Sequence, residues 1–320
     1  MYKITLSFTL MNIKKCLSII ILTFFTVLIT SFSTKQQPIQ KSRLKKIVID
    51  PGHGGNDPGA VGKYSNESDV ALAISLKLEE LIKDQIPDIE VILTRRTDVF
   101  DSPKVKASKA NQAKGDLFVC IHCNSTSGIK HSVFTGYKTE TFYKGRGKHR
   151  KKVTKQVKTY HTYTTPNPAK GAETYIWGAH RNDLKEIAMR ENQGLYVDST
   201  AKAQVEDFSS PEKMNFITLK TRQYFDRSAY LALTIQQEFA KGGRVDRDAL
   251  QRQVGIWVLQ AVAMPAVLVE TGYISNPEEE VYLNSKTGQT EIAQSIVNAI
   301  IRYRTSLDNR TITKDLKGGN

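Results

Sequence analysis

Two imidazoles and two carboxylates, His53, Glu67, His122 and Glu270, stand at positions where strands end or a helix begins. A catalytic zinc site needs three protein ligands and one coordination position open to water. His53, Glu67 and His122 can supply the three, at metal–ligand distances of about 2.0–2.2 Å. The metal would lower the pKa of its water to about 7. Glu270, not itself a ligand, would take that proton and return it to a leaving nitrogen. Each residue also has a plainer reading. Either histidine can be a hydrogen-bonded structural residue. Glu67 can be a first-turn carboxylate favoured by a helix dipole, and Glu270 the buried partner of an arginine. Spacing alone leaves both readings open.

The elements that would position these groups are legible around them. The β-branched run Ile47-Val-Ile-Asp50 stops at a Gly/Pro-rich loop that carries His53. Leu117-Phe-Val-Cys-Ile-His122 and Ala266-Val-Leu-Val-Glu270 repeat the design, a buried strand delivering one polar group at its end. Glu67 opens a helix predicted to about Ile86, striped by Val70, Ile74, Leu78, Leu81 and Ile82 and stopped by Pro87. A strand over Glu90–Thr94 and a helix over Lys104–Lys114 complete an alternation. That alternation predicts an α/β fold: an open, twisted, mostly parallel sheet with helices on both faces. Sites on such sheets form at the carboxyl ends of adjacent strands, where His53 and His122 lie. Further on, a short strand is expected over Glu173–Gly178 and a helix over Leu184–Asn192, followed by an irregular stretch over 195–215. Amphipathic helices are expected over 216–240 and 247–262, and a last one over Thr290–Arg304. Residues 306–320 read as a frayed tail.

The chain has 320 residues, 40% hydrophobic and 24% charged, with a net charge of +14. Lys14 and Lys15 precede an apolar run over 16–30, and Ser31 and Ser33 follow as small residues at a cleavage-like site. Residues 1–33 therefore read as a secretory signal peptide, with an uncleaved anchor as the other reading. Residues 34–43, with Pro38, read as a linker. The expected location is outside the cytoplasm, in the periplasm or cell envelope, with no stable membrane span after cleavage. Cys120 and Cys123 flank His122, about 10 Å apart on a strand, too far for an easy disulfide. Residues 130–170 hold eleven lysines and arginines against one acid, Glu140. They read as a solvated basic insertion, partly disordered, or as a clamp on an anionic polymer. A nucleic-acid partner conflicts with the export signal.

These motifs, taken together, resemble the zinc-dependent N-acetylmuramoyl-L-alanine amidases of the cell-division type. The resemblance is carried by IDPGHGGNDPGAVG (49–62), the stretch from Glu67 to Ala73, LTRRTD (93–98), AN (110–111), DLFVCIHCN (116–124) and MPAVLVETGYISNPEEE (264–280). It implies a catalytic domain over 44–305 with an insertion over about 126–245. It implies one zinc ion bound by His53, Glu67 and His122, with Glu270 as the catalytic carboxylate. The implied reaction is hydrolysis of the amide joining the lactyl group of muramic acid to L-alanine in peptidoglycan, during daughter-cell separation. It also suggests an activator protein acting on 179–245, part of which would cover the metal. The plainer alternative is that this segment only widens the substrate groove. Lys106 stands where the family usually has Arg, Cys120 for a common Ser and Tyr273 for a common Phe. None is a proposed ligand, so they bear on rate and fine specificity. Two other functions compete: an exported zinc peptidase cutting wall peptides, and a non-catalytic wall-binding or activator protein.

Overall fold

A computed structural model describes residues 42–192, 210–252 and 255–317. The signal peptide and most of the linker expected from the sequence lie outside the described residues. The first half runs β1 (Lys46–Pro51), α1 (Glu67–Gln85), β2 (Glu90–Leu93), α2 (Pro103–Gln112), β3 (Leu117–Asn124), β4 (Ile129–Lys144) and β5 (Lys151–Thr165). The second runs β6 (Ala172–Trp177), α3 (Asn182–Asn192), α4 (Pro211–Lys241), β7 (Asp246–Arg252), α5 (Trp257–Ala261), β8 (Ala266–Tyr273), α6 (Pro277–Asn284), α7 (Lys286–Asn309) and α8 (Ile312–Lys317).

Six strands form one sheet in the order β2-β1-β3-β8-β6-β7. The first four are mutually parallel, β6 is antiparallel to β8, and β7 is parallel to β6. Side-chain alternation explains how the sheet is covered on both faces. Ile47, Ile49, Val119 and Val267 point into a layer made with α1, α4 and α7. Val48, Phe118 and Leu268 point the other way, against Ala107 and Ala110 of α2, Met189 of α3 and Leu259 of α5. A strand buried on both faces must be apolar throughout, which is why β1, β3 and β8 read as continuous hydrophobic runs. Ser102 caps α2 by accepting from the Val105 amide, with Pro103 entering the first turn.

Four expectations are corrected. The helix over 247–262 is instead edge strand β7 followed by the short helix α5. Pairing with β6 decides the conformation of β7, and its charged residues Asp246, Arg247 and Arg252 suit an exposed edge. The basic stretch 130–170 is ordered over most of its length as a two-stranded antiparallel ribbon, β4 with β5, exposed along its length. Its alternating Thr, Val and Tyr residues favour a pleated backbone. The described part of the tail is packed rather than frayed. Helix α7 continues to Asn309, α8 follows, and Leu307 and Ile312 are buried in the core. Helix α4 starts at Pro211, inside the stretch expected to be irregular. No helix among the described residues is long and apolar enough to cross a membrane.

Candidate metal centre

The loop after β1 is held from below by buried cations. Asp50, at the strand end, pairs with Lys106 at 3.1 Å and accepts from Thr94 Oγ1 at 2.5 Å and Cys120 Sγ at 3.0 Å. Lys106 also donates to the Pro51 carbonyl at 2.6 Å, and Arg95 to the carbonyls of Gly52 and Ser68 at 2.7 and 2.8 Å. These inward-facing carbonyls would otherwise be buried without partners. The cradle holds His53 in a left-handed conformation with φ +55°, uncommon for a residue with a side chain.

Two glycines allow the side chains to converge. A Cβ on Gly52 would lie 2.6 Å from the His122 ring. One on Gly59, at φ +67°, would lie 2.6 Å from both His53 and Glu67. Glu67 Oε1 is 2.7 Å from His122 Nδ1 and 3.2 Å from His53 Nε2, and accepts from the Cys123 amide at 3.1 Å. Its Oε2 accepts from the Ala60 amide at 2.8 Å. The three candidate ligand atoms lie within 4.8 Å of one another. Ligands about 2.0–2.2 Å from a common ion lie at most about 4.4 Å apart, so a small side-chain adjustment would bring the three onto one ion. His53 Nδ1 meets Asp57 Oδ2 at 2.8 Å, an arrangement in which an outer carboxylate can orient an imidazole toward a metal.

The electrostatics match. Burial pushes the Glu67 carboxyl up, but hydrogen bonds from both imidazoles outweigh it and hold the group well below the usual carboxylate range. Burial likewise opposes charge on His53, and the Glu67 and Asp57 carboxylates overcome it, raising the ring to about 9. An anionic carboxylate between two imidazoles is a nitrogen–nitrogen–oxygen set into which a divalent cation can step as protons leave. The residues present therefore fit a zinc ion.

Glu270 sits beside this cluster because β3 and β8 run parallel with His122 and Glu270 in register. It is 9% exposed, and its Oε2 has no hydrogen-bond partner among the described residues. Burial raises its carboxyl to about 7; the His122 and Arg252 charges oppose the rise, and those of Glu67 and Glu173 add to it. Glu173 faces Glu270 across the antiparallel β6–β8 pair. Burial pushes it up too, yet hydrogen bonds from Tyr175, Tyr273 and Arg247 hold it low. Two facing carboxylates thus differ in proton affinity, the pattern that separates a proton carrier from a fixed charge.

His53, Glu67, His122 and Glu270 all line one cleft of about 530 Å³. Phe100, Ile256, Trp257 and Val258 form its apolar side, and Asn124 and Arg252 add polar groups. None of the described residues of 179–245 lines it; the segment suggested to cover the metal falls partly on 193–209, outside the described residues. Sequence reasoning brought the four central residues together and missed their supports. Asp57 was detectable, four residues after His53 in the same loop. Arg95 lay inside LTRRTD with no role attached. Glu173 and Arg252 carried no local signal, because only strand pairing places them.

The glycine at 52 yields a direct expectation. Gly52→Ala forces the His122 ring away from Glu67 while leaving the strands paired. Zinc affinity should fall about 10–100-fold, the range seen when ligand orientation is lost, with an unchanged circular dichroism spectrum. Competition against a chromophoric chelator measures it, and parental affinity would refute this account of Gly52.

The family model described as N-acetylmuramoyl-L-alanine amidase matches residues 47–302. The chain is similar to N-acetylmuramoyl-L-alanine amidase AmiC of Escherichia coli O6:H1, 30% identical over 270 residues, covering 83% of this chain and 55% of the relative. It is similar to AmiA of Salmonella typhimurium, 27% identical over 286 residues, covering 88% of this chain and 84% of the relative. Among solved structures it resembles an N-acetylmuramoyl-L-alanine amidase from Clostridium difficile 630. That match has a TM-score of 0.53 and 25% identity, and covers 83% of this chain and 99% of the other. The chain spans about half the length of the AmiC relative and of an AmiB relative from Haemophilus influenzae, 55% and 56%.

Proposed function

Because the chain belongs to the N-acetylmuramoyl-L-alanine amidase family, we propose that it hydrolyses the amide between the lactyl group of muramic acid and L-alanine in peptidoglycan. The observation that carries this reading is the convergence of His53, Glu67 and His122 beside a buried carboxylate with raised proton affinity, all in one cleft. His53, Glu67 and His122 would hold one zinc ion. Zinc bound there supplies Lewis acidity toward the scissile carbonyl and the attacking water. Glu270 accepts a proton from that water as its oxygen adds to the carbonyl carbon. It then delivers the proton to the alanine nitrogen as the C–N bond breaks, leaving a lactyl carboxylate and a free amine. A proton affinity near the working pH suits a group that must both take and give. Asp57 and the two backbone amides on Glu67 keep the ligand set oriented. The cleft volume is that of a pocket for a small segment of substrate, here the sugar–peptide junction.

The apolar segment near the start, with its cleavage-like site, supports export to the periplasm or envelope, where the wall would be remodelled as daughter cells separate. The long stretch 179–245, between the last proposed ligand and Glu270, is where an activator would act. If part of it restrains the enzyme, deleting 195–215 raises wall hydrolysis; an unchanged rate removes that reading.

Purified wall tests the reaction itself. Digestion should release free lactyl-sugar ends and peptides beginning with a new L-alanine amine, cease on chelation and return with zinc. New amines only between amino acids would mark a zinc peptidase instead and overturn the assignment.

A further inference from the structure

The β4–β5 ribbon has no role in the reaction described above, yet it concentrates much of the chain's charge. Residues 129–165 hold ten lysines and arginines against Glu140, in a protein whose net charge is +14. The strands are 16 and 15 residues long, so the ribbon reaches about 50 Å. An isolated two-stranded ribbon is marginal in water, and this one leaves large apolar groups in solvent: Tyr137 is 64% exposed and Tyr143 59%. Exposed apolar groups mark a contact surface where they gather into a patch.

The register organises these groups into a pattern. Phe134 pairs with Tyr160, Tyr137 with Lys158 and Tyr143 with Lys152, all on one face. The Phe134 ring lies 5.3 Å from that of Tyr137 and 5.8 Å from that of Tyr160. Arg150 lies over Tyr143 at 5.2 Å. One face therefore carries aromatic plates beside ammonium or guanidinium groups at its two ends, with Thr139, Thr141, Thr154 and Gln156 between them. Aromatic faces pack on the apolar C–H faces of sugar rings, and the cations match carboxylates. The ribbon is also rooted at the rim of the cleft. Ser125 lines the cleft, the Thr126 amide donates to Ser275 Oγ at 3.0 Å, and β4 begins at Ile129.

We propose that this ribbon is a docking arm for the anionic wall polymer, holding a glycan strand on the Phe134–Tyr137–Tyr160 face and stem-peptide carboxylates on Lys152 and Lys158, while the cleft cuts the same strand. This rests on the amidase reading and extends it to a second binding surface. An anionic membrane is the other candidate for a basic aromatic surface. The ribbon's tip favours the polymer over insertion into a membrane, and the vesicle comparison below separates the two. Residues 144–151 are Lys, Gly, Arg and His with no apolar side chain, whereas a membrane-entering hairpin carries its apolar residues there.

The test uses the full chain with Phe134, Tyr137 and Tyr160 all changed to Ala, and a second variant with 130–164 replaced by a short glycine-serine turn. Binding is read by co-sedimentation with insoluble wall in a Glu270→Gln background, so that nothing is digested. Both variants should bind wall about tenfold or more weakly, as expected when aromatic anchors are lost, and parental binding should weaken with salt. With Glu270 intact, kcat/KM on insoluble wall should fall similarly, while hydrolysis of a soluble muramyl-peptide stays within about twofold of the parent, since the ribbon lies outside the cleft. Unchanged wall binding overturns the proposal. So does parental binding to phosphatidylglycerol vesicles stronger than to wall, or loss of soluble-substrate hydrolysis in both variants. A parent that binds wall through the ribbon but hydrolyses neither substrate would instead sink the amidase reading and leave the docking arm standing.

Discussion

Glu270→Gln should bind zinc as the parent does and lose about 10²–10⁴ in kcat on wall fragments, the range general acid–base catalysis supplies. Glutamine keeps the shape of the side chain and cannot accept the proton of the attacking water. The substitution has a second consequence, opposite in sign. Burial lifts the Glu270 carboxyl from an ordinary 4.5 to about 7 in the folded chain. Below about pH 4.5 the group is protonated both folded and unfolded, and its burial carries no charge penalty. As pH rises to about 7, the unfolded chain ionises first and the fold loses stability, by roughly 3 kcal/mol for a shift of that size. The neutral amide escapes this loss. The metal-free variant should therefore melt like the parent near pH 4.5 and several degrees higher at pH 8. Paired thermal melts in chelator check this. An equal gap at both pH values would show that Glu270 is not the group held protonated.

Glu67→Ala should be the most damaging change at the metal centre. One carboxylate receives both imidazoles and two backbone amides. Removing it takes away a candidate ligand and strands the partners that surrounded it. Zinc affinity should fall by more than about 10², and stability by roughly 3–5 kcal/mol, the loss typical of breaking a buried charged network. Glu67→Gln separates the effects. It can still accept a backbone amide, so it should recover part of the stability while remaining defective in zinc. Equilibrium dialysis and denaturant melts report the two quantities independently. If Glu67→Ala binds zinc like the parent, the ion is held elsewhere.

Both predictions concern residues visible in the sequence, which bears on how much of the site was legible there. His53 and His122 each close an apolar strand, Glu67 opens a helix, and glycines surround the first histidine. Those are local signals, because a strand end, a helix start and a tight turn are set by neighbouring residues. The strand–helix alternation was legible for the same reason. Elements whose conformation depends on distant pairing were not. Residues 247–252 carry a pattern compatible with a helix and become edge strand β7 only because β6 offers its backbone. Residues 130–170 looked like a charge run, and the order of most of them depends on cross-strand pairing that no short window reveals.

The sequence by itself determined which side chains could bind a metal, the turns that carry them and the family pattern they make. The tertiary structure alone decided that Glu270 faces His122 on one side and Glu173 on the other, through a parallel and an antiparallel pairing respectively. It also decided that one of these carboxylates is held ionised while the other is raised toward neutrality. The physical reason is that proton affinity follows from desolvation and from charges brought near by folding. Chain order records neither: His122 and Glu270 lie 148 positions apart and meet only across a strand register.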